Sequence, residues 1–273
     1  MMKRNTVIYG DAIQEMRKLP DNSVDIIIAD PPYNVSKGGT YSITQENKPK
    51  GFGGNWNKVM ESWDDYSLQE YFTFSIDWLT EAKRILKDTG SIWIFGTYHN
   101  IGIINFVMQI LKFEIINEVI WYKRNSFPNL SGRRLTASHE TILWGHSGKS
   151  NSRLYNFNYE NSKCLSYPED NLKKPDKQMR TVWDIPNNKQ KEELIYGKHP
   201  TQKPIRVLKR MLELSAKKDD LVFSPFSGSG SELVAAKSLG LDYLGIEKEE
   251  EFFKLSLTRL EHSQKGNFFD DKA

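Results

Sequence analysis

Apolar and polar positions change period several times along the 273 residues. Short apolar runs predict strands at Thr6 to Tyr9, Val24 to Ala29, Ser91 to Phe95, Ile115 to Tyr122, Leu221 to Phe223 and Tyr243 to Ile246. Between them, helical spacing covers Ala12 to Leu19, Leu68 to Leu86, Ile101 to Leu111, Pro204 to Ala216, Glu232 to Leu239 and Glu249 to Leu260. Two stretches interrupt this alternation. Val35 to Asn57 is polar and glycine-rich, the composition of a functional lid or a disordered segment. From Asn125 to Gly197 periodicity fades, and the stretch reads as an irregular insert outside the regular sheet.

Strands alternating with helices predict an α/β fold: a parallel sheet with both faces covered. Ligands of such sheets bind beyond the carboxyl ends of strands, where strand order reverses. Asp11, Asp30, Ser227 to Gly230 and Glu247 all fall at predicted carboxyl ends. They are expected to share one composite site.

Composition adds compartment and partner. Aromatic residues make up 12% of the chain, too many for disorder throughout. No run approaches a membrane span, and no signal peptide is evident. The single cysteine, Cys164, excludes an intrachain disulfide and suits a reducing cytoplasm. No Cys/His cluster has metal-ligand spacing, so no metal is expected. Net charge is only +3, but Trp121 to Lys217 holds 19 Lys and Arg against 9 Asp and Glu. A basic middle on an acidic frame suits a polyanion.

The chemistry begins at Asp30-Pro31-Pro32-Tyr33. Prolines have no N–H, and Pro32 holds residue 31 extended. The strand therefore ends in a rigid edge carrying a carboxylate, a free carbonyl and a flat ring. That set suits a planar amino group on an aromatic base. Ser227-Gly228-Ser229-Gly230 lets a ligand approach the backbone at a helix start. Glu247 stands at the next strand end, where a carboxylate can accept both ribose hydroxyls. A dinucleotide fold would want a third glycine where this chain has Leu233, which counts against a dehydrogenase. In Gly197-Lys198-His199-Pro200-Thr201-Gln202-Lys203-Pro204, Thr201 is the expected helix N-cap and Lys203 a candidate for a ligand carboxylate.

In this order, the motifs resemble the β-class DNA adenine-N6 methyltransferases that use S-adenosyl-L-methionine (AdoMet). Supporting stretches include Gly90-Ser91-Ile92-Trp93, Ile120-Trp121, Pro128-Asn129 and His139-Glu140-Thr141-Ile142-Leu143-Trp144. The resemblance covers Thr6 to Leu260. It implies a Rossmann-like methyltransferase fold with a mostly parallel seven-stranded sheet and circularly permuted motif order. Residues 1–124 and 197–262 would form the catalytic and AdoMet-binding domain, 125–196 a target-recognition insert, and 263–273 a frayed tail. Asn34 to Trp63 would be a loop closing on DNA.

The resemblance also implies roles. Asp30, Pro31, Pro32 and Tyr33 would act on the base. Asp11 would accept from the cofactor's adenine, and Glu247 would bind its ribose. Thr201, Gln202 and Lys203 would handle its methionine end. Pro225, Phe226, Ser227, Gly228, Ser229 and Gly230 would pack against it, with Asp30 nearby. Arg133, Arg134, Lys173, Lys174 and Arg180 would face DNA, double- or single-stranded, and family members are often homodimers. The chain departs from the family at Ser224, where Asp is usual, and near Glu232, where Thr is usual. The implied activity is site-specific adenine-N6 methylation within a restriction–modification system. Cytosine-N4 methylation, or a DNA-binding regulator with a weakened AdoMet pocket, stays open as an alternative.

Overall fold

Alternation in the central strands sends two apolar sets to opposite faces of one sheet. A computed structural model describes residues 2–34, 41–43, 56–58, 66–126, 133, 135–149, 156–164, 177–187 and 191–269. Its strands are β1 (Thr6–Tyr9), β2 (Val24–Ala29), β3 (Tyr41–Ile43), β4 (Trp56–Lys58), β5 (Leu86–Gly96), β6 (Glu114–Tyr122), β7 (His139–His146), β8 (Val182–Asp184), β9 (Leu221–Ser224) and β10 (Asp242–Glu247). The helices are α1 (Ala12–Met16), α2 (Leu68–Ile85), α3 (Ile101–Ile110), α4 (Tyr159–Cys164), α5 (Ile205–Ser215), α6 (Ser231–Ser238) and α7 (Glu250–His262).

Eight strands form the main sheet in the order β1-β10-β9-β2-β5-β7-β6-β8. Pairing is parallel except on both sides of β7. Ile26, Ile28, Trp93 and Phe95 point to one face, where α5 and α6 bury Val207, Leu208, Met211 and Leu233. Ile27, Ala29, Ile92 and Ile94 point to the other, against Trp78 and Leu79 of α2 and Val107 and Met108 of α3. Full burial of a side chain of this size contributes about 1.5–3 kcal/mol, so the two layers hold the sheet from both sides. The Trp93 and Trp144 rings stack at 4.6 Å. Their indole N–H groups donate to Ser215 and Ser91, which removes the cost of burying them.

The α/β expectation holds, with two differences. The sheet has eight strands, not seven, because β8 adds to the edge beside β6. The stretch expected to be irregular supplies both β7, inside the sheet, and β8. β7 carries Ile142, Leu143 and Trp144 buried in a row between β5 and β6. Buried polar residues, Glu140, Thr141 and His146, flank that short run and mask the strand in the sequence. Within the polar stretch near residues 35 to 57, β3 and β4 pair as a separate antiparallel hairpin. Most of the expected loop from Asn34 to Trp63 lies outside the described residues. Its base is tied where Asn34 accepts from the Tyr66 N–H at 2.9 Å.

Candidate active site

β9 and β2 are neighbours, and the chain leaves them in opposite directions. From β2 it crosses by α2 to β5; from β9 it crosses by α6, on the other face, to β10. The carboxyl ends of β2 and β9 therefore open a crevice. The cleft there encloses about 1110 Å³, its solvent-filled mouth included. It gathers residues spread over the whole chain: Asp11, Asp30 to Tyr33, Thr201 to Lys203, Pro225 to Ser229 and Glu247.

The glycine turn forms one wall. The Ser227 N–H donates to the Ile246 carbonyl, and the Gly230 N–H to the Ser227 carbonyl. Gly228 has φ +49°, which suits glycine, and its N–H donates to Glu247 Oε2 at 2.7 Å. Glu247 Oε1 accepts the Glu249 N–H at 2.8 Å. Burial raises the Glu247 pKa while these N–H bonds oppose the rise. Each carboxylate oxygen keeps a further lone pair for a ligand.

Gly230, expected to pack against a ligand, does not line the cleft. At φ +73° it is the N-cap of α6, and a Cβ there would lie 3.0 Å from the Ser256 Cβ of α7. Close helix packing is its role. Arg259, also from α7, holds the turn from behind. Its Nη1 donates to the Ser229 carbonyl at 2.6 Å and approaches the Ser229 and Ser231 hydroxyls at 2.8 and 3.0 Å. Asp11 caps α1, accepting the Gln14 N–H at 3.0 Å.

Opposite the turn lies a buried charge cluster. Asp30, its side chain 13% exposed, accepts from Lys203 Nζ at 2.5 Å and from the Tyr33 hydroxyl at 2.5 Å. The Tyr33 oxygen also lies 3.2 Å from Glu140, which pairs with Lys123 at 2.8 Å and sits 3.7 Å from Lys203. Burial raises the Asp30 pKa, Lys203 opposes, and Glu140 adds to the rise. Burial acts to raise Glu140 too, but Lys203 and Lys123 outweigh it and hold it low. Burial would lower Lys203, yet Asp30 and Glu140 raise it, so it stays charged. Lys203 lies 5.1 Å from the ring centres of both Tyr33 and Phe95. Tyr33, expected as an open stacking ring beyond the strand, is in fact nine-tenths buried at the cleft wall. Pro32 O accepts from Tyr71 at 2.7 Å, whereas no described residue donates to Pro31 O.

The His199 to Pro204 segment differs from expectation at one point. Pro204, not Thr201, is the N-cap of α5. Glu193 accepts the Ile205 N–H at 3.0 Å and meets the helix start instead. Thr201 is drawn to the His199 ring, its hydroxyl 3.2 Å from Nδ1. Burial, with Lys203 and Arg259 nearby, depresses the His199 pKa to about 4, so the ring is neutral. Gln202 donates to the Glu193 carbonyl at 3.0 Å.

Arg133 and Arg180 are exposed. Arg134, Lys173 and Lys174 lie outside the described residues. Lys123, Glu140, His199 and Arg259 do not stand out from sequence as site residues. Only Glu140, an acid opening an apolar run, carries a usable signal.

A crossover reversal, a glycine turn and a carboxylate at the next strand end mark an α/β fold that binds a nucleoside. Similarity to known proteins narrows the class. A family model described as DNA methylase, covering N6 and N4 enzymes, matches residues 24–258. Type II methyltransferase M.HinfI of Haemophilus influenzae is 38% identical over 260 residues, spanning 94% of this chain and 68% of that protein. The solved M1.HpyAVI–SAM complex superposes with TM-score 0.64 at 23% identity, covering 93% of this chain and 98% of that one. PvuII DNA methyltransferase, cytosine-N4-specific, superposes with TM-score 0.69 at 14% identity, covering 95% and 87%. The chain belongs to the N6/N4 DNA methylase family and is a DNA methyltransferase.

Proposed function

We propose that this enzyme methylates N6 of an adenine turned out of DNA, as the modification enzyme of a restriction–modification system in the cytoplasm. The reading rests on Asp30 beside a Pro31 carbonyl that no described residue uses, both facing the cleft that holds the glycine turn. AdoMet fits the residues present. The Gly228 backbone is bare where a Cβ would come within 3.4 Å of His199. Glu247 has lone pairs left for ribose hydroxyls, and Asp11 lines the same cleft for an adenine amino group. Thr201, Gln202, Lys203 and Pro225 to Ser229 surround the remainder. When bound, AdoMet supplies an electrophilic methyl on a sulfonium.

The protein's part is to make a poor nucleophile better. The N6 lone pair of adenine is delocalised into its ring. Asp30 and the Pro31 carbonyl accept its two N–H groups, draw the amine toward tetrahedral geometry and stabilise its developing positive charge. Lys203 and Tyr33 each use one lone pair of the Asp30 carboxylate, which leaves others for the base. They also orient it and oppose the rise that burial imposes on its pKa. Tyr33 offers its ring to the base, which leaves the duplex at a cost of a few kcal/mol. The parts of residues 125–196 outside β7 and β8 supply target recognition, with Arg133, Arg134, Lys173, Lys174 and Arg180 toward phosphates and guanines.

Nucleoside mass spectrometry and long-read sequencing of DNA from cells expressing the protein test this. N6-methyladenine at one short site is expected. N4-methylcytosine would overturn the choice of base, and unmodified DNA the proposal as a whole.

A further inference from the structure

Three carboxyl groups of the cleft have their partners on view. Asp11 caps a helix, Asp30 pairs with Lys203, and Glu247 accepts two backbone N–H groups. Glu232, in the first turn of α6, lines the same cleft. It is only 3% exposed, and its Oε2 has no hydrogen-bond partner among the described residues. A buried acceptor with no donor is costly to keep unless a ligand completes it.

We propose that Glu232 binds the α-ammonium group of the cofactor's amino-acid end. This rests on the AdoMet reading above. A cation with N–H donors both satisfies the open oxygen and favours the ionised carboxylate. A sulfonium has charge but no N–H. Position 224 supplies no carboxylate that could serve instead. Ser224, where the resemblance expects Asp, is fully buried with its own Oγ unpartnered.

The electrostatics supports the same partner. Burial raises the Glu232 pKa to about 8 and Asp30 adds to the rise, while the residue's own backbone N–H, Lys203 and Arg259 oppose it. Without ligand at neutral pH, Glu232 is mostly protonated. Pairing with an ammonium ionises it and releases the proton to solvent.

Calorimetric titration at pH 7, in two buffers of different ionisation enthalpy, tests this with three ligands. They are AdoMet, S-adenosylhomocysteine (ammonium but neutral sulfur) and 5′-methylthioadenosine (neither). Wild-type protein is expected to release close to one proton with the first two and none with the third. Glu232→Gln should weaken the first two at least tenfold, abolish the release, and leave 5′-methylthioadenosine within twofold. Equal weakening of all three, or none, overturns the proposal. Loss confined to AdoMet assigns Glu232 to the sulfonium and overturns it too. Should the variant not fold, the wild-type contrast decides: equal proton release with and without the amino-acid end overturns it. Wild-type protein that binds none of the three overturns the AdoMet reading itself.

Discussion

Lys203 and Asp30 are 173 positions apart in the chain, and their charged atoms meet at 2.5 Å. The contact joins the loop before α5 to the carboxyl end of β2 across the crevice. It opposes the rise that burial imposes on the Asp30 pKa and ties the catalytic edge to the cofactor half of the cleft. Tyr33 and Glu140 extend it to Lys123, so the cluster behaves as one unit.

Asp30→Ala should reduce methyl transfer at least a thousandfold while AdoMet still binds. The variant also leaves Lys203 buried with the Thr201 carbonyl at 3.2 Å and the Glu140 carboxylate at 3.7 Å. Losing one member of a buried pair costs about 3–5 kcal/mol, and Glu140 should reduce that. Single-turnover assays together with a urea melt separate the two effects. Near-normal turnover would sink the proposed mechanism.

Tyr33→Phe keeps the ring and removes the hydroxyl 2.5 Å from Asp30. A lost neutral-to-charged hydrogen bond is worth about 1.5–3 kcal/mol. Turnover should fall about tenfold or more, with AdoMet affinity unchanged. Tyr33→Ala removes the ring as well and should lose more. Equal rates for the two variants would show that the ring does nothing for the base.

His199 should make the protein acid-sensitive. Its pKa in the folded state is about 4, against an ordinary value near 6.5. The unfolded chain therefore binds more protons between these values, and stability falls as pH drops from about 6.5 to 4. The full loss is on the order of 3 kcal/mol. His199→Asn should flatten this part of the profile in denaturant melts at pH 4.5 and 7. An unchanged slope would mean that His199 titrates normally.

Arg259→Lys keeps the charge and removes the Nη1 that holds Ser229 and Ser231. The glycine turn should loosen. AdoMet and 5′-methylthioadenosine should then weaken together, by about tenfold, because the turn serves the whole ligand. Weakening of AdoMet alone would mean that Arg259 acts on the amino-acid end.

Local pattern determined most of the strand and helix layers. Ile26 to Ala29 and Ile92 to Phe95 are apolar runs closed by chain breakers, and α2 shows its buried face in its spacing. Asp30-Pro31-Pro32-Tyr33 and Ser227 to Gly230 were legible because their chemistry lies within a few consecutive residues. β7 was not legible. Its apolar run is only Ile142 to Trp144, beside the buried polar residues Glu140, Thr141 and His146, and its neighbours β5 and β6 lie elsewhere in the chain.

Only tertiary structure decided the charges. Whether Asp30, Glu140, Glu232 or His199 holds a proton depends on burial and on partners brought in from distant segments. Sequence determined which groups could ionise. The packing of α5, α6 and α7 onto the sheet decided which of them do, because removal from water and the approach of Lys203 and Arg259 are set by the fold.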